Sequence, residues 1–348
     1  MSSLNNEIES FESKEWKALK IENVFNVEKG MYLNQKKVIN GQTPYISAKA
    51  SSNGLKVFIG NKKLFNGNTI TIEKVKLSAF YQPSDYYCSH DVSVLSNKKL
   101  NKNNSLFLTS MINRQGSKYS YGRQAQMNVV KRETLFCPVD RDSKPDYKYM
   151  EQYSKTIIDN KIENYKRYTE EILSNIEYKD INPLESKEWH EFFLTDIFTV
   201  IKRGKRLTKG NQIFGDMPYV SSTALNNGID NYIGNKDRVR IFSDCLSIAN
   251  SGSVGSSFYH PYEFVGSDHI THLKKEGMSK YIYLFMSTLA NRLSGKYNFN
   301  REINDKRISR EKIMLPINES NEPDYEYMEQ YMKNMTYNKL NQYLNYIK

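Results

Sequence analysis

Two stretches of this sequence interleave positive charge, hydrogen-bonding amides and aromatic rings. The first holds Arg114, Gln115, Lys118, Tyr119, Tyr121, Arg123 and Gln124. The second holds Arg292, Lys296, Tyr297, Asn298, Asn300 and Arg301. Arginine reads the guanine edge of the major groove and Asn or Gln the adenine edge, while Lys and Tyr grip phosphate. Other polar positions join them: Lys49, Ser51, Ser52 and Asn53, against Thr223, Asn226 and Asn227, each set just after a Tyr-x-Ser. Lys202, Arg203, Lys205 and Arg206 add a basic cluster that has no counterpart earlier in the chain. Together these side chains predict contact with double-stranded DNA. The charge agrees: 50 Lys and Arg against 39 Asp and Glu leave +11, which favours a polyanionic partner.

Other chemistries find little support. No G-x-x-x-x-G-K-[ST] phosphate loop occurs, because the glycine pairs Gly54/Gly60 and Gly204/Gly210 are followed by Asn. Gly252-Ser253-Val254-Gly255 lacks the spacing of a dinucleotide loop. Cys88, Cys137 and Cys245 are odd in number and form no C-x-x-C pair, so neither a disulfide framework nor a cysteine zinc site is expected. Asp268, His269 and His272 hint at a metal, but the corresponding earlier residues are His90, Asp91 and Val94. Pro145-Asp146 and Pro323-Asp324 read as helix starts rather than as halves of a nuclease motif. Met1–Ser10 has no signal-peptide pattern, and the apolar stretch Tyr281–Ala290 is too short to span a bilayer, so a cytoplasmic protein without a membrane partner is expected.

The elements that position these residues come in two copies. Glu12-Ser13-Lys14-Glu15-Trp16 returns as Glu185-Ser186-Lys187-Glu188-Trp189, with the only two tryptophans. Phe25 and Val27 return as Phe198 and Val200; Pro44-Tyr45-Ile46-Ser47 as Pro218-Tyr219-Val220-Ser221; Asn53-Gly54 as Asn227-Gly228. Ile59-Gly60-Asn61-Lys62 matches Ile233-Gly234-Asn235-Lys236, Phe80-Tyr81 matches Phe258-Tyr259, and Asn113-Arg114 matches Asn291-Arg292. The offset drifts only from 173 to 178 residues, which describes a duplicated domain and not a short-repeat solenoid. No catalytic set recurs in both copies, so a binder is expected rather than an enzyme. The framework matches while the polar loops differ, so the expected target is an asymmetric, bipartite DNA sequence.

Each copy alternates short β-like runs (Thr43–Ile46, Val57–Ile59, Thr69–Ile72, Val92–Leu95) with Asn-Gly turns. A helical stretch follows at Ser105–Asn113 and again at Lys280–Asn291, giving an α+β, strand-rich domain. Beyond it, Asp146–Tyr178 has no Gly or Pro, and Ile158, Ile162, Tyr165, Thr169, Ile172 and Ile176 step by four and three. A helix of these 33 residues would run about 50 Å before Asn182-Pro183. Thr336, Leu340, Tyr343 and Ile347 continue the pattern in the C-terminal copy, Asp324–Lys348. The expected architecture is two tandem domains related by a pseudo-twofold and separated by two long antiparallel coiled-coil helices. The boundaries read 1–144, 145–183, 184–322 and 323–348, for domain, spacer, domain and spacer. Tyr149, Tyr153, Tyr168, Tyr327 and Tyr331 are expected on the outer helix faces as a partner-docking surface.

This organisation resembles the specificity (S) subunits of type I restriction–modification systems, and leans towards those of BcgI-like type IIB systems. The resemblance rests on several doubled signatures: the lead-ins Trp16 to Val27 and Trp189 to Val200, the Pro-Tyr-[Ile/Val]-Ser with Asn-Gly, and the junction Pro138…Pro145-Asp146-Tyr147…Met150-Glu151-Gln152 with its twin Pro316…Pro323-Asp324-Tyr325…Met328-Glu329-Gln330. It covers essentially the whole chain. It implies a non-catalytic DNA-reading subunit with one half-site per target-recognition domain. It also implies methyltransferase partners, or fused methyltransferase–endonuclease partners, that use S-adenosylmethionine and Mg, with ATP in a type I system. The alternatives are a protein-binding adaptor and a stand-alone DNA-modifying enzyme.

Overall fold

Alternation of β-branched and polar residues between Asn-Gly turns gives short strands, and the computed structural model pairs them into the same sheets twice. The structure describes residues 9–297 and 300–347. The chain divides into two compact units, residues 1–165 and 166–348. In the first, Asn26–Lys29, Val92–Ser96, Thr69–Glu73 and Ala79–Gln82 form a four-stranded antiparallel sheet in that order. Leu55–Ile59, Thr43–Ile46 and Tyr87–Cys88 form a second sheet whose last pair is parallel. Trp16–Lys20 pairs with Thr134–Pro138, joining the lead-in to the end of the domain. The second unit repeats all three arrangements and adds the short strand Ile241–Phe242.

The repeated residues are the fasteners of this fold. Asn113, at the end of the Lys102–Asn113 helix, clamps Ala79 by accepting from its N–H at 2.6 Å and donating to its C=O at 3.1 Å. Asn291 does the same to Ser257 at 2.8 and 3.3 Å. Asn61 accepts from the Ile39 amide and donates to the Lys37 carbonyl, and Asn235 treats Ile213 and Asn211 alike. Lys14 pairs with Asp146 at 2.9 Å, and Lys187 with Asp324 at 2.7 Å. Each of these aspartates also caps the following helix by accepting from the amide of Tyr149 or Tyr327. The repeat of Lys14 and Asp146 is therefore a covalently distant but spatially direct contact that ties lead-in to helix.

One pairing differs from the sequence expectation. Val27 lies opposite Leu95, and the residue in the same place opposite Leu273 is Ile201, not Val200. The second copy carries one extra residue after Phe198. Because side chains alternate faces along a strand, Val200 turns outward and is 40% exposed, whereas Val27 is buried.

The long helices are shorter than the periodicity suggests, at Tyr147–Ser174 (28 residues) and Tyr325–Tyr346 (22 residues). The first stops before Tyr178 because side chains replace its lost backbone bonds. Ser174 Oγ and Asn175 Nδ2 both donate to the Glu171 carbonyl at 2.8 Å. In the second unit Asn334 then takes over the chain, accepting from the Lys179 amide at 3.1 Å and donating to its carbonyl at 2.6 Å. Along the expected seam Thr169 is fully buried and Ile158, Ile162 and Ile172 are half-buried, while Tyr165 and Tyr343 are more exposed.

Several glycines bring backbone against backbone, and Gly30 and Gly204 do so most tightly. A Cβ on Gly30 would sit 2.1 Å from the Ser89 carbonyl oxygen, and one on Gly204 would sit 2.0 Å from that of Ser267. Gly204→Ala must therefore displace a strand end, and it is expected to cost about 3 kcal/mol or more of unfolding free energy. Gly210→Ala, with nothing within 4 Å, is the control and should cost well under that. Denaturant unfolding of both variants tests the difference; equal stability would mean the Ser267 strand end yields freely.

Candidate nucleic-acid interface

The first basic–aromatic stretch folds into a tight turn after the Lys102–Asn113 helix. Ser120 and Arg123 exchange backbone hydrogen bonds at 3.2 and 3.0 Å, which throws Tyr121 to the tip, 84% exposed. Arg114 and Arg123 are exposed beside it, and Gln124 is half-buried. Ala125 anchors the far side through a 2.6 Å bond from its amide to the Lys74 carbonyl. In the second unit Arg292, Lys296, Asn300 and Arg301 are likewise exposed, and the Ile303 amide bonds the Asn250 carbonyl at 3.0 Å. Asn298 lies outside the described residues.

Tyr119 and Tyr297 are corrections to the expected DNA-contacting set. They are buried, at 7% and 4% exposure, and a glutamate on the adjoining segment accepts a hydrogen bond from each hydroxyl. Tyr119 donates to Glu133 and Tyr297 to Glu311. The same carboxylates take Lys118 at 2.8 Å and Lys296 at 2.7 Å. Burial, then the hydrogen bond to the carboxylate, pushes each phenol up to about 12. Burial favours the protonated form of Glu133, but its bonds from Lys118 and Tyr119 outweigh this and hold its pKa below the usual value. Gln115 is also engaged locally, donating to the Thr134 carbonyl at 2.6 Å. The glutamates were missed by sequence reasoning; the dipeptide Arg132-Glu133, repeated as Arg310-Glu311, was the available signal.

The Asn-Gly turns carry the second group. Ser52 and Asn53, like Asn226 and Asn227, have positive φ between 50° and 55° and are exposed, a backbone conformation that Asn tolerates better than most residues. Asn53 Nδ2 is held by the Tyr81 carbonyl at 3.1 Å. Lys49 is exposed and reaches the Leu55 carbonyl at 3.3 Å. Thr223 accepts from the Leu225 amide at 3.1 Å. In the basic cluster Lys202, Lys205 and Arg206 are exposed, whereas Arg203 is spent on the fold, with Nε 2.6 Å from the Asp268 carbonyl. The histidines near it also serve structure: His269 Nδ1 lies 2.6 Å from Ser251 Oγ, and His272 stacks on Phe242 and bonds the Lys202 carbonyl. A polar cavity of about 160 Å³, lined by Lys29, Lys74, His90, Asp91, Gln126 and Asn128 among others, opens in the first unit, and no sequence signal marked it.

The expected partner-docking tyrosines need correction too. Tyr149 and Tyr327 are buried against the lead-ins, with Lys14 and Lys187 over their rings at 5.0 and 4.8 Å. Tyr153 packs on Phe11 and Phe107, and Tyr331 on Phe285. Only Tyr168 of the five is open to solvent, at 54%. The aromatic stripe is the apolar face by which each helix seats on its own domain.

Two copies of one strand-rich domain, each offering an exposed basic loop and an Asn-Gly turn with its asparagine exposed, match a known family. The family model described as "Type I restriction modification DNA specificity domain" fits residues 13–166 and again 186–346. The chain belongs to this family. It is a DNA-specificity subunit of a restriction–modification system. It is 30% identical over 324 residues to the specificity subunit of the BcgI type II restriction enzyme of Heyndrickxia coagulans, covering 90% of this chain and 93% of that one. Its fold is similar to that of the S subunit of a type I restriction–modification system from M. genitalium, with a TM-score of 0.54 at 17% identity, covering 99% of this chain and 93% of that one. No helix among the described residues of this specificity subunit is long and apolar enough to cross a membrane.

The Lys14–Asp146 contact gives the subunit a definite acid response. Burial raises the Asp146 pKa, but the Tyr149 amide and the Lys14 ammonium outweigh it and leave the pKa lowered. A folded-state value below the unfolded one, about 3.9, means the stabilisation is present above that pH and lost as pH falls through the folded value. Asp146→Asn should therefore lower the melting temperature at pH 7, and the gap from wild type should close below about pH 4. A gap that stays constant from pH 7 to the acid limit would show that the ion pair contributes nothing.

Proposed function

We propose that this specificity subunit reads an asymmetric bipartite DNA sequence, one half-site per domain, and brings catalytic partners to it. The observation that carries this reading is the doubled turn: an exposed arginine, Arg123 or Arg301, standing over a buried tyrosine, in otherwise different polar surroundings. The same framework with different exposed residues suits two different half-sites. The domains are taken as residues 1–144 and 184–322, with 145–183 and 323–348 as spacers that pair antiparallel about a pseudo-twofold. Half-sites about one helical turn of DNA apart, centre to centre, follow from that arrangement.

Catalysis belongs to the partners in this reading: methyltransferase subunits, or a fused methyltransferase–endonuclease as the BcgI-like resemblance favours. They would supply S-adenosylmethionine chemistry and bind Mg, and a type I assembly would add an ATP-driven subunit. The complex would work in the cytoplasm, where its DNA is. Methylation-sensitive sequencing of cells expressing the chain with its partners tests the proposal. The expected result is a two-part motif with an unspecified gap. Methylation by the purified chain alone, or an unbroken motif, would overturn it.

A further inference from the structure

Arg123 and Arg301 are exposed, and among the described residues no carboxylate lies within ion-pair distance of either. Each has its guanidinium over the ring of the buried tyrosine, at 5.9 Å from Tyr119 and 5.4 Å from Tyr297. The ring is itself immobilised. Its hydroxyl is held by Glu133 or Glu311, and the same carboxylate is fixed by Lys118 or Lys296. The backbone carbonyl of that glutamate accepts from Ile21 or Leu194 at 3.0 or 2.9 Å, so the chain of contacts ends in the rigid lead-in. The whole arrangement occurs twice, in two loops that otherwise share few residues.

A framework contact needs no exposed arginine on top of it, and a free surface arginine needs no clasped ring beneath it. A long side chain that must fork onto a base edge loses much rotamer freedom on binding, and stacking it beforehand on a fixed aromatic face removes part of that loss. We propose that Tyr119 with Glu133, and Tyr297 with Glu311, are positioning residues that hold Arg123 and Arg301 in the orientation in which each meets its half-site. This rests on the reading that the two arginines face DNA.

The test uses the full-length chain, duplexes selected by it from a randomised pool, and affinities for the selected duplex. Arg301→Ala is expected to weaken binding about 10-fold and blur preference within one half-site only. Tyr297→Leu should weaken it by nearly the same factor and blur the same positions. Combined, the two changes should be no weaker than Arg301→Ala alone, since the tyrosine acts through the arginine. Tyr297→Phe, which keeps the ring and loses its anchor, should fall between wild type and Tyr297→Leu. Glu311→Gln supplies a second cycle against Arg301→Ala should Tyr297→Leu fail to fold. Losses that multiply in the double variants would overturn the positioning role while leaving Arg301 on DNA. An Arg301→Ala chain that binds every duplex like wild type would instead remove the loop from DNA, and the positioning role with it.

Discussion

Four residues inserted into the Tyr147–Ser174 helix, between Asp159 and Tyr168, are expected to lengthen the unspecified gap of the recognised motif by about two base pairs. Four helical residues add about 6 Å of rise, and a base pair about 3.4 Å. Four is also close to one helical turn, so the half-buried Ile158 and Ile162 and the buried Thr169 keep nearly the same face. A matching insertion in the Tyr325–Tyr346 helix is the natural companion. Both half-site sequences should remain as they were, because their domains are untouched. The methylated motif in cells reads the answer directly. A motif with its original gap would show that the helix does not set half-site separation.

The second large effect is expected at Lys205 and Arg206. They are exposed next to Gly204, where the backbone is pinned to the Ser267 and Gly266 strand end, so they project from a rigid base. In the proposed reading they would grip phosphate, where Arg301 would meet a base. Lys205→Glu with Arg206→Glu should reduce affinity on the order of 100-fold at low salt, evenly across half-site variants, and flatten the dependence of log K on log salt by about 2. That outcome separates gripping from reading, since loss of Arg301 should change sequence preference. An unchanged salt slope would place Lys205 and Arg206 away from DNA.

The buried tyrosines lie where a sequence alone cannot show which way a side chain faces. Tyr119, Tyr149, Tyr297 and Tyr327 sit in polar, charged neighbourhoods, and nothing local distinguishes a tyrosine that faces DNA or a partner from one that faces inward. Burial decided it, and burial depends on partners outside the local stretch: Glu133 and Glu311 on the adjoining segment, 14 residues on, for two of them, and the sequence-distant lead-in lysines Lys14 and Lys187 for the others. Likewise, one inserted residue after Phe198 moved Val200 to solvent, a shift that only a strand pairing reveals.

What the sequence determined by itself was whatever is written twice or written locally. The duplication, the strand-and-turn alternation, the two capped helices and the basic excess depend on residue order and near-neighbour chemistry, so they could be read without coordinates. The recurrence of Asn113 and Asn291, or of Asp146 and Asp324, even marked the fasteners, though not what they fasten. The tertiary structure alone decided which side chains remain available. It ended the first long helix at Ser174, where the Ser174 and Asn175 side chains take the Glu171 carbonyl, and it tied the chain beyond, at Lys179, to Asn334, 155 residues on. It also withdrew the clasped tyrosines from the surface and left Arg123 and Arg301 standing on them. Exposure is set by long-range packing and by where buried polar groups find partners, and neither is a property of any short stretch of chain.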